Sequence, residues 1–380
     1  MNVALSSFVL QGGKSGVARY VMDLVKAMHD VKQVSTLKML LPQNDSHLIA
    51  KQDHLKFNIS TSMVSNPVLN ILWHNTYLPL SNILKNVDLL HVPSYRRIPY
   101  VKKCPLIATV HDLATFNIDG KYDKMRMFYN RKIVPSLIRR CDRIITVSEF
   151  SKKDIVKFIG YDEDKIDVIY SGINHNLFYP RIKEHAKQQI KEEFGFDSPF
   201  MCYVSRIEPK GKNHFRLLQA FEKFKKRHPS DYKLLLVGSD WNGAAEFHQR
   251  VNESPVKDDI VFTGFTANGM LPVIYSAAEL CVYPSLFEGF GFPVIEAMAC
   301  GAPVICSNTS SLLEISEGRV PNFDPYSVEE IYSCMRTTLD SPNFNQDIDK
   351  NYDYANSFCW DRTAKNVYSS YQKCLAETQR

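Results

Sequence analysis

The sequence predicts an α/β protein made of two doubly wound parallel-sheet domains. Three observations predict it. The chain has 380 residues, and at about 100–200 residues per domain this length suggests two. Short apolar strand-like runs alternate with helix-period segments along most of it. The alternation occurs twice, with a polar break between the two series.

In the first series the strands read near 2–5, 36–41, 87–92, 105–110, 143–147 and 166–170. Between them, Val17, Tyr20, Val21, Leu24, Val25 and Met28 recur at helical spacing over 16–29. The break at 171–198 is polar and loop-like, followed by one charged helix, and reads as a linker. The second series has strands near 199–205, 232–237, 260–263, 280–283 and 303–306, with a helical face from Phe215 to Phe224. A last helix carries Ala364, Val367, Tyr368, Tyr371, Cys374 and Leu375, with Asp361 as its N-cap. Strand–helix alternation of this kind means parallel sheets covered on both faces. The predicted domains are 1–175, joined by the C-terminal helix 361–380, and 176–360. Such sheets take ligands at the carboxyl ends of their strands. Two of them face to face would make a deep cleft.

Composition narrows the class. A hydrophobic fraction of 44% and a charged fraction of 23% are ordinary for a globular chain and exclude disorder as the main state. No run of 18 apolar residues exists to span a bilayer. The start, Met1 to Ser7, has no basic stretch before its apolar residues and does not read as a signal peptide. The nine cysteines are singles without CxxC spacing, and Cys202, Cys281, Cys300 and Cys306 sit in apolar runs. They read as reduced core thiols of a cytoplasmic protein. The net charge of +5 is uneven: Lys85 to Lys157 holds 16 Lys and Arg against seven Asp and Glu. This excess implies an anionic ligand or surface nearby; no nucleic acid is expected.

Four motifs fall just after strands. Gln11-Gly12-Gly13-Lys14-Ser15-Gly16 joins the first strand to the first helix. It reads either as a plain tight turn or as a backbone that approaches a phosphate. It has neither Walker nor GxGxxG spacing. Thr109-Val110-His111-Asp112 ends a strand, and His111 reads as a structural imidazole or as a hydrogen-bond partner for a sugar. In Ser205-Arg206-Ile207-Glu208-Pro209-Lys210-Gly211-Lys212, Arg206 and Lys212 bracket a strand-to-helix turn. Both can reach one diphosphate, the first as a fork and the second as a point charge. Glu288-Gly289-Phe290-Gly291-Phe292-Pro293-Val294-Ile295-Glu296 follows another strand. Its glycines admit a close ligand, Pro293 suits a first helical turn, and the helix N-terminus favours phosphate. Glu296, on an otherwise apolar stretch, must find partners or stay protonated, and ribose hydroxyls are suitable.

Glu288 and Glu296, with seven residues between them, resemble the EX7E motif of retaining GT-B glycosyltransferases of family GT4. Arg206 and Lys212 match that family's Arg-x5-Lys clamp. The Gly-rich loop, the Thr-Val-His-Asp segment, Val147 to Ser151 and the Trp-initiated final helix match as well, so the resemblance covers essentially the whole chain. One departure is Ser171-Gly172, where the family often has Asn-Gly.

The resemblance implies a GT-B fold of two Rossmann-like domains and a hexosyl transfer from a nucleotide sugar, with mannose from GDP-mannose as the first expectation and UDP-linked sugars as the alternative. Arg206 and Lys212 would hold the donor diphosphate and stabilise the leaving nucleoside diphosphate. Glu296 would bind ribose, and Glu288 the transferred sugar. Gly289, Phe290, Gly291 and Phe292 would line sugar and phosphate, and the base would rest by Gly264 and Phe265. His111 would contact the sugar, and Gly12, Gly13, Ser15 and Gly16 would lie near phosphate or acceptor. No metal is implied, and Asp162-Glu163-Asp164, which has DxD spacing, lies in a polar loop. A sugar-nucleotide-binding regulator, a phosphorylase and an epimerase remain rival readings. The acceptor is expected to be a glycan of cell-surface polysaccharide synthesis, with a polyprenyl-diphosphate-linked one as a candidate. The basic stretch with Arg96, Arg97, Lys102 and Lys103, together with the helix-like segment 125–140, would suit an anionic cytoplasmic membrane face; the same segment also reads as a solvated helix packed on the core.

Overall fold

Seven strands form one parallel sheet in the spatial order Leu55–Ser60, Thr36–Pro42, Asn2–Ser6, Leu89–Val92, Leu106–Val110, Arg143–Thr146 and Ile166–Val168, and six form a second in the order Ile260–Gly264, Lys233–Val237, Phe200–Val204, Leu280–Tyr283, Val304–Ser307 and Asn322–Phe323. They belong to a computed structural model that describes residues 1–13, 15–50, 52–267, 269–341 and 348–378. Lys14 of the Gly-rich loop lies outside the described residues. The chain divides into two compact units. One comprises Met1–Phe116, Asp123–Gly172 and Cys359–Arg380; the other comprises Asn117–Tyr122 and Ile173–Phe358.

In the first unit the strands are β1 (Asn2–Ser6), β2 (Thr36–Pro42), β3 (Leu55–Ser60), β4 (Leu89–Val92), β5 (Leu106–Val110), β6 (Arg143–Thr146) and β7 (Ile166–Val168). β1, β4 and β5 are buried on both faces, which is why they read as unbroken apolar runs. β3 was not predicted. It pairs only with β2 at the sheet edge, and Lys56, Asn58 and Ser60 interrupt its apolar residues. The order of strand addition reverses between β1 and β4, so the Gly-rich loop after β1 stands at this sheet's switch point.

The last helix, Trp360–Thr378, belongs to this first unit. Tyr371 OH lies 2.8 Å from His91 Nδ1, and Arg143 bridges Asp167 and Glu377 at 2.8 and 2.5 Å. The chain returns past Gly172 so closely that a Cβ there would fall 2.3 Å from the Trp360 amide nitrogen. Gly is therefore retained where Ser171-Gly172 departs from Asn-Gly.

Two segments are more structured than their sequence suggests. The charged helix that follows the polar break, Lys183–Phe194, falls in the second unit, within the predicted 176–360 domain, and packs there instead of serving as a linker. Ala186 and Ile190, four residues apart, bury one stripe of it, and Lys183 and Lys187 both pair with Glu279. The segment 125–140 divides between two environments. A π turn at Tyr129–Ile133 precedes Pro135, which cannot supply an interior helical N–H. Val134, Leu137 and Ile138 join the core, while Met125 and Phe128 are exposed.

The second unit contains β8 (Phe200–Val204), β9 (Lys233–Val237), β10 (Ile260–Gly264), β11 (Leu280–Tyr283), β12 (Val304–Ser307) and β13 (Asn322–Phe323). β13 is a two-residue edge strand, too short for a periodic signal. Here the order reverses between the central strands β8 and β11.

Candidate active site

In a parallel sheet the crevice at the reversal point is open at the carboxyl ends of its two strands. In the second unit those ends are Val204 and Tyr283, and the two motifs richest in charge and glycine follow them directly. After β8 come Arg206 and the short helix Pro209–Lys212; after β11 come Glu288 and the helix Phe292–Ala299.

The two loops are tied together. The Leu286 amide donates to the Gly211 carbonyl at 3.0 Å. Lys212 Nζ donates to Glu288 Oε1 at 2.6 Å, and Ser285 Oγ donates to the same oxygen at 2.7 Å. Beneath them Tyr203 OH lies 2.9 Å from the Lys212 carbonyl and 2.8 Å from Ser285 Oγ. Burial, with the Glu288 carboxylate nearby, pushes the Tyr203 phenol well up, so it stays a neutral hydrogen-bonding group. The far side is held by Ser310, which accepts from the Glu288 amide, and by Ser311, which donates to the carbonyls of Glu288 and Phe290. Arg206 is exposed, with its guanidinium 4.6 Å from the centre of the Trp241 ring.

Gly291 precedes the helix with φ of +105°, and a Cβ there would meet Leu312 at 2.7 Å. No side chain caps this N-terminus, and Pro293 occupies its first turn as predicted. Phe290 is buried, and its ring centre lies 5.0 Å from that of Phe292. Glu296 is only 1% exposed, and Tyr275 OH donates to its Oε2 at 3.2 Å. The Tyr275 hydroxyl is thus one partner of this buried carboxylate. Gly264 ends β10 and bridges Gly238, and the Phe265 ring beside it is exposed.

One pair escaped the sequence reading. Glu208, buried between Arg206 and Lys212, accepts from Lys121 Nζ at 2.6 Å. Lys121 lies in the short segment Asn117–Tyr122 that clusters with the second unit. A Cβ on Gly211 would come within 3.3 Å of both the Glu208 carboxylate and the Lys121 ammonium, so the packing there is tight.

The remaining predicted residues lie in the first unit. The amides of Gln11 and Gly12 donate to the two oxygens of Asp45, each at 3.0 Å. Asp45 is buried, so an internal carboxylate already takes up these two loop donors. Gly13 bonds back to Leu10, Ser15 accepts from Ala18 as the N-cap, and Gly16 begins the helix Gly16–Met28. His111 follows β5, edge-on to Tyr20 with 4.7 Å between ring centres, and its Nε2 has no hydrogen-bond partner among the described residues. Burial outweighs the nearby Asp112 charge and a hydrogen bond with the Pro93 backbone, and brings its pKa down to about 4. It is therefore neutral at pH 7.

Asp162 caps the turn Glu163–Lys165, a structural task. Among the described residues no three His, Cys, Asp or Glu side chains gather as a metal site, and no helix is long and apolar enough to cross a membrane. In the basic stretch, Arg97 points inward and donates to Asn70 Oδ1 at 2.9 Å. Lys102 and Lys103 are exposed, the first paired with Asp142.

Residues 14–177 match the family model for Glycosyltransferase Family 4, and residues 182–353 match that for Glycosyl transferases group 1. The chain is 25% identical over 372 residues to the O-antigen chain mannosyltransferase B of Escherichia coli, covering 94% of this chain and 96% of that protein. It is 29% identical over 359 residues to the O-antigen chain mannosyltransferase RfbU of Salmonella typhimurium, covering 90% and 94%. Among solved structures, the sucrose-phosphate synthase of Thermosynechococcus elongatus superposes with a TM-score of 0.80 at 22% identity, over 99% of each chain.

Proposed function

The chain belongs to the group 1, family 4 glycosyltransferases and has their GT-B fold, and from that premise we propose that it transfers mannose from GDP-mannose to a glycan acceptor of cell-surface polysaccharide synthesis, with retention of configuration and without a metal. The observation that carries this reading is the junction of Arg206, Lys212, Glu288 and the uncapped helix Phe292–Ala299 at one switch point. Two of its relatives are named O-antigen mannosyltransferases, which supports the mannosyl donor and a glycan acceptor.

The bond to break joins sugar C1 to a diphosphate oxygen. Negative charge grows on the leaving diphosphate as C1 becomes oxocarbenium-like. Arg206 and Lys212, with the positive end of the helix Phe292–Ala299, supply positive potential where that charge develops. This is the task a divalent ion would otherwise perform. Glu288 positions the sugar, and Glu296, with Tyr275 behind it, faces the ribose. The acceptor attacks C1 on the face that the diphosphate leaves, its proton passing to the leaving phosphate. His111, neutral, would accept or donate one hydrogen bond to the sugar, and Gly264 and Phe265 would border the base. The acceptor is carried on a polyprenyl diphosphate at the inner face of the membrane.

The test is a screen of GDP-mannose, UDP-glucose, UDP-galactose and UDP-N-acetylhexosamines for donor turnover, with and without EDTA. GDP-mannose should be consumed equally in both. Turnover of a UDP sugar alone would replace the donor and leave the transferase class standing. Binding without turnover of any donor would favour the regulator reading, and activity lost in EDTA and restored by Mg²⁺ would overturn the metal-free chemistry.

A further inference from the structure

From Phe57 to Leu84 the chain carries no Asp, Glu, Lys or Arg. A buried segment of that composition would need no comment, but this one is not buried. Met63 is 70% exposed, Val68 66%, Leu72 51%, Tyr77 55% and Leu80 85%. The last four lie on one helical run, Pro67–Leu72, Trp73–Tyr77 and Leu78–Leu80, which passes through a π turn without leaving helical geometry. Spacings of four, five and three residues through that turn keep Val68, Leu72, Tyr77 and Leu80 along one side. The opposite side is anchored: Trp73 packs on Phe8, and His74 Nε2 lies 2.8 Å from Ser6 Oγ. The run is thus a fixed helix showing an apolar stripe with no charge of its own, more than the scattered exposed residues normal on a surface.

Its margin is cationic. Asn75, on the same run, accepts from the Tyr100 amide at 2.8 Å, which places the 100–103 loop alongside. Tyr100 and Val101 there are exposed, and Arg140 lies 4.4 Å over the Tyr100 ring. Leu78, Pro79, Val101, Lys102 and Lys103 line one cleft, so two exposed lysines, of which Lys102 also pairs with Asp142 at 2.7 Å, border the end of the stripe that carries Leu80.

We propose that this stripe is the membrane-contacting face of the protein, lying in the interface of an anionic phospholipid bilayer with Val68, Leu72, Tyr77 and Leu80 among the acyl chains and Lys102, Lys103 and Arg140 at the headgroups. An apolar face edged by Lys and Arg, with an aromatic at its flank, is the pattern that lies in a bilayer interface. The occupant is chosen by charge: the margin is positive and the stripe itself has no charged group to pair with a protein partner. The proposal deepens the membrane-bound acceptor in the proposed function and rests on that part of it. It also moves the contact from the arginine pair at 96–97, of which Arg97 is turned inward, to the uncharged helix.

The test is co-sedimentation with phosphatidylcholine vesicles, with and without phosphatidylglycerol, at low and high salt, alongside donor hydrolysis. The wild-type chain should bind the anionic vesicles, and part of that binding should survive high salt, because burial of apolar groups is not screened. Leu72→Asp and Leu80→Asp should each weaken binding about tenfold or more. Lys103→Glu should weaken it about fivefold or more at low salt and much less at high salt. Hydrolysis should be unchanged in all three variants. No wild-type binding to anionic vesicles, or Asp variants that bind like wild type, would overturn the proposal. So would a concentration-dependent dimer, seen by sedimentation velocity and abolished by the Asp variants, since the stripe would then serve a second copy. Loss of hydrolysis of every donor by the wild-type chain would refute the enzymatic reading and leave the vesicle result to stand by itself.

Discussion

The Lys212 ammonium and the Glu288 carboxylate are paired to each other at 2.6 Å, although one is assigned to the diphosphate and the other to the sugar. Each thereby keeps its partner from standing as a lone charge in a half-buried crevice. In the proposed reading, donor binding would insert an anion beside Lys212 and hydroxyls beside Glu288, so the pair would have to loosen or be shared. Arg206→Ala and Lys212→Ala should each slow turnover about 10²–10³-fold, the scale for removing one preorganised charge-stabilising donor. Lys212→Ala and Glu288→Gln should not be additive: a double-mutant cycle in kcat/KM should return a coupling of about 0.5–3 kcal/mol. Near-normal turnover in both cation variants would remove the clamp from the mechanism.

Glu296 offers a sharper test of nucleotide binding, because its partner is known. With Tyr275 donating to Oε2, the carboxylate is aimed by a hydrogen bond rather than by packing alone. A hydrogen bond to a charged group is worth about 1.5–3 kcal/mol. Tyr275→Phe should therefore weaken nucleoside diphosphate affinity about tenfold in calorimetry, and Glu296→Gln by at least as much. The matching free nucleobase, which has no ribose, should lose nothing. Unchanged diphosphate affinity in Glu296→Gln would withdraw the ribose assignment.

Lys121 is expected to act as a positioning residue through Glu208. Both side chains are largely buried, at 12% and 4% exposure, and removing one partner of such a pair costs about 3–5 kcal/mol. Lys121→Ala should lower the melting temperature by roughly 10 °C. It should also raise the donor KM, because an unpaired Glu208 carboxylate would stand beside the diphosphate clamp. Lys121→Arg should restore both. A variant that loses stability while keeping the wild-type KM would mark the pair as purely structural.

These contrasts show what the sequence could carry. β8 and β11 were legible because burial on both faces makes a strand an unbroken apolar run, and the clamp and glutamate motifs follow those strands directly. β3 and β13 were not: an edge strand is only half buried, so its composition drifts toward that of a loop. The loop motifs could be placed but their partners could not. Asp45 reaches Gln11 and Gly12 across 34 and 33 residues, and Lys121 reaches Glu208 across 87. No periodicity encodes such pairings; only closure of the fold brings the groups together. The same limit applies to Tyr275 and Glu296, whose shared hydrogen bond depends on how two helices pack.

Three buried imidazoles, His74, His91 and His214, together with the partly exposed His111, give the stability a pH dependence with a definite sign. Burial, the leading cause in each, brings the pKa values of His74, His91 and His214 down to about 3 and that of His111 to about 4. Each folded value lies below the unfolded value of about 6.5. The unfolded chain therefore takes up protons first as pH falls. The stability these groups contribute is complete above about pH 6.5 and is lost progressively toward pH 3–4. Each group contributes a slope of up to about 1.4 kcal/mol per pH unit within that window. His74, His91 and His111 lie in the first unit and His214 in the second, so the first unit should lose stability up to about three times as steeply. Calorimetric unfolding from about pH 7.5 to about pH 5 should show the first unit's transition moving down faster than the second's. His91→Gln should flatten the first unit's dependence by about one proton. Melting temperatures that hold constant across this window would mean that the imidazoles charge as freely in the folded protein as in the unfolded chain.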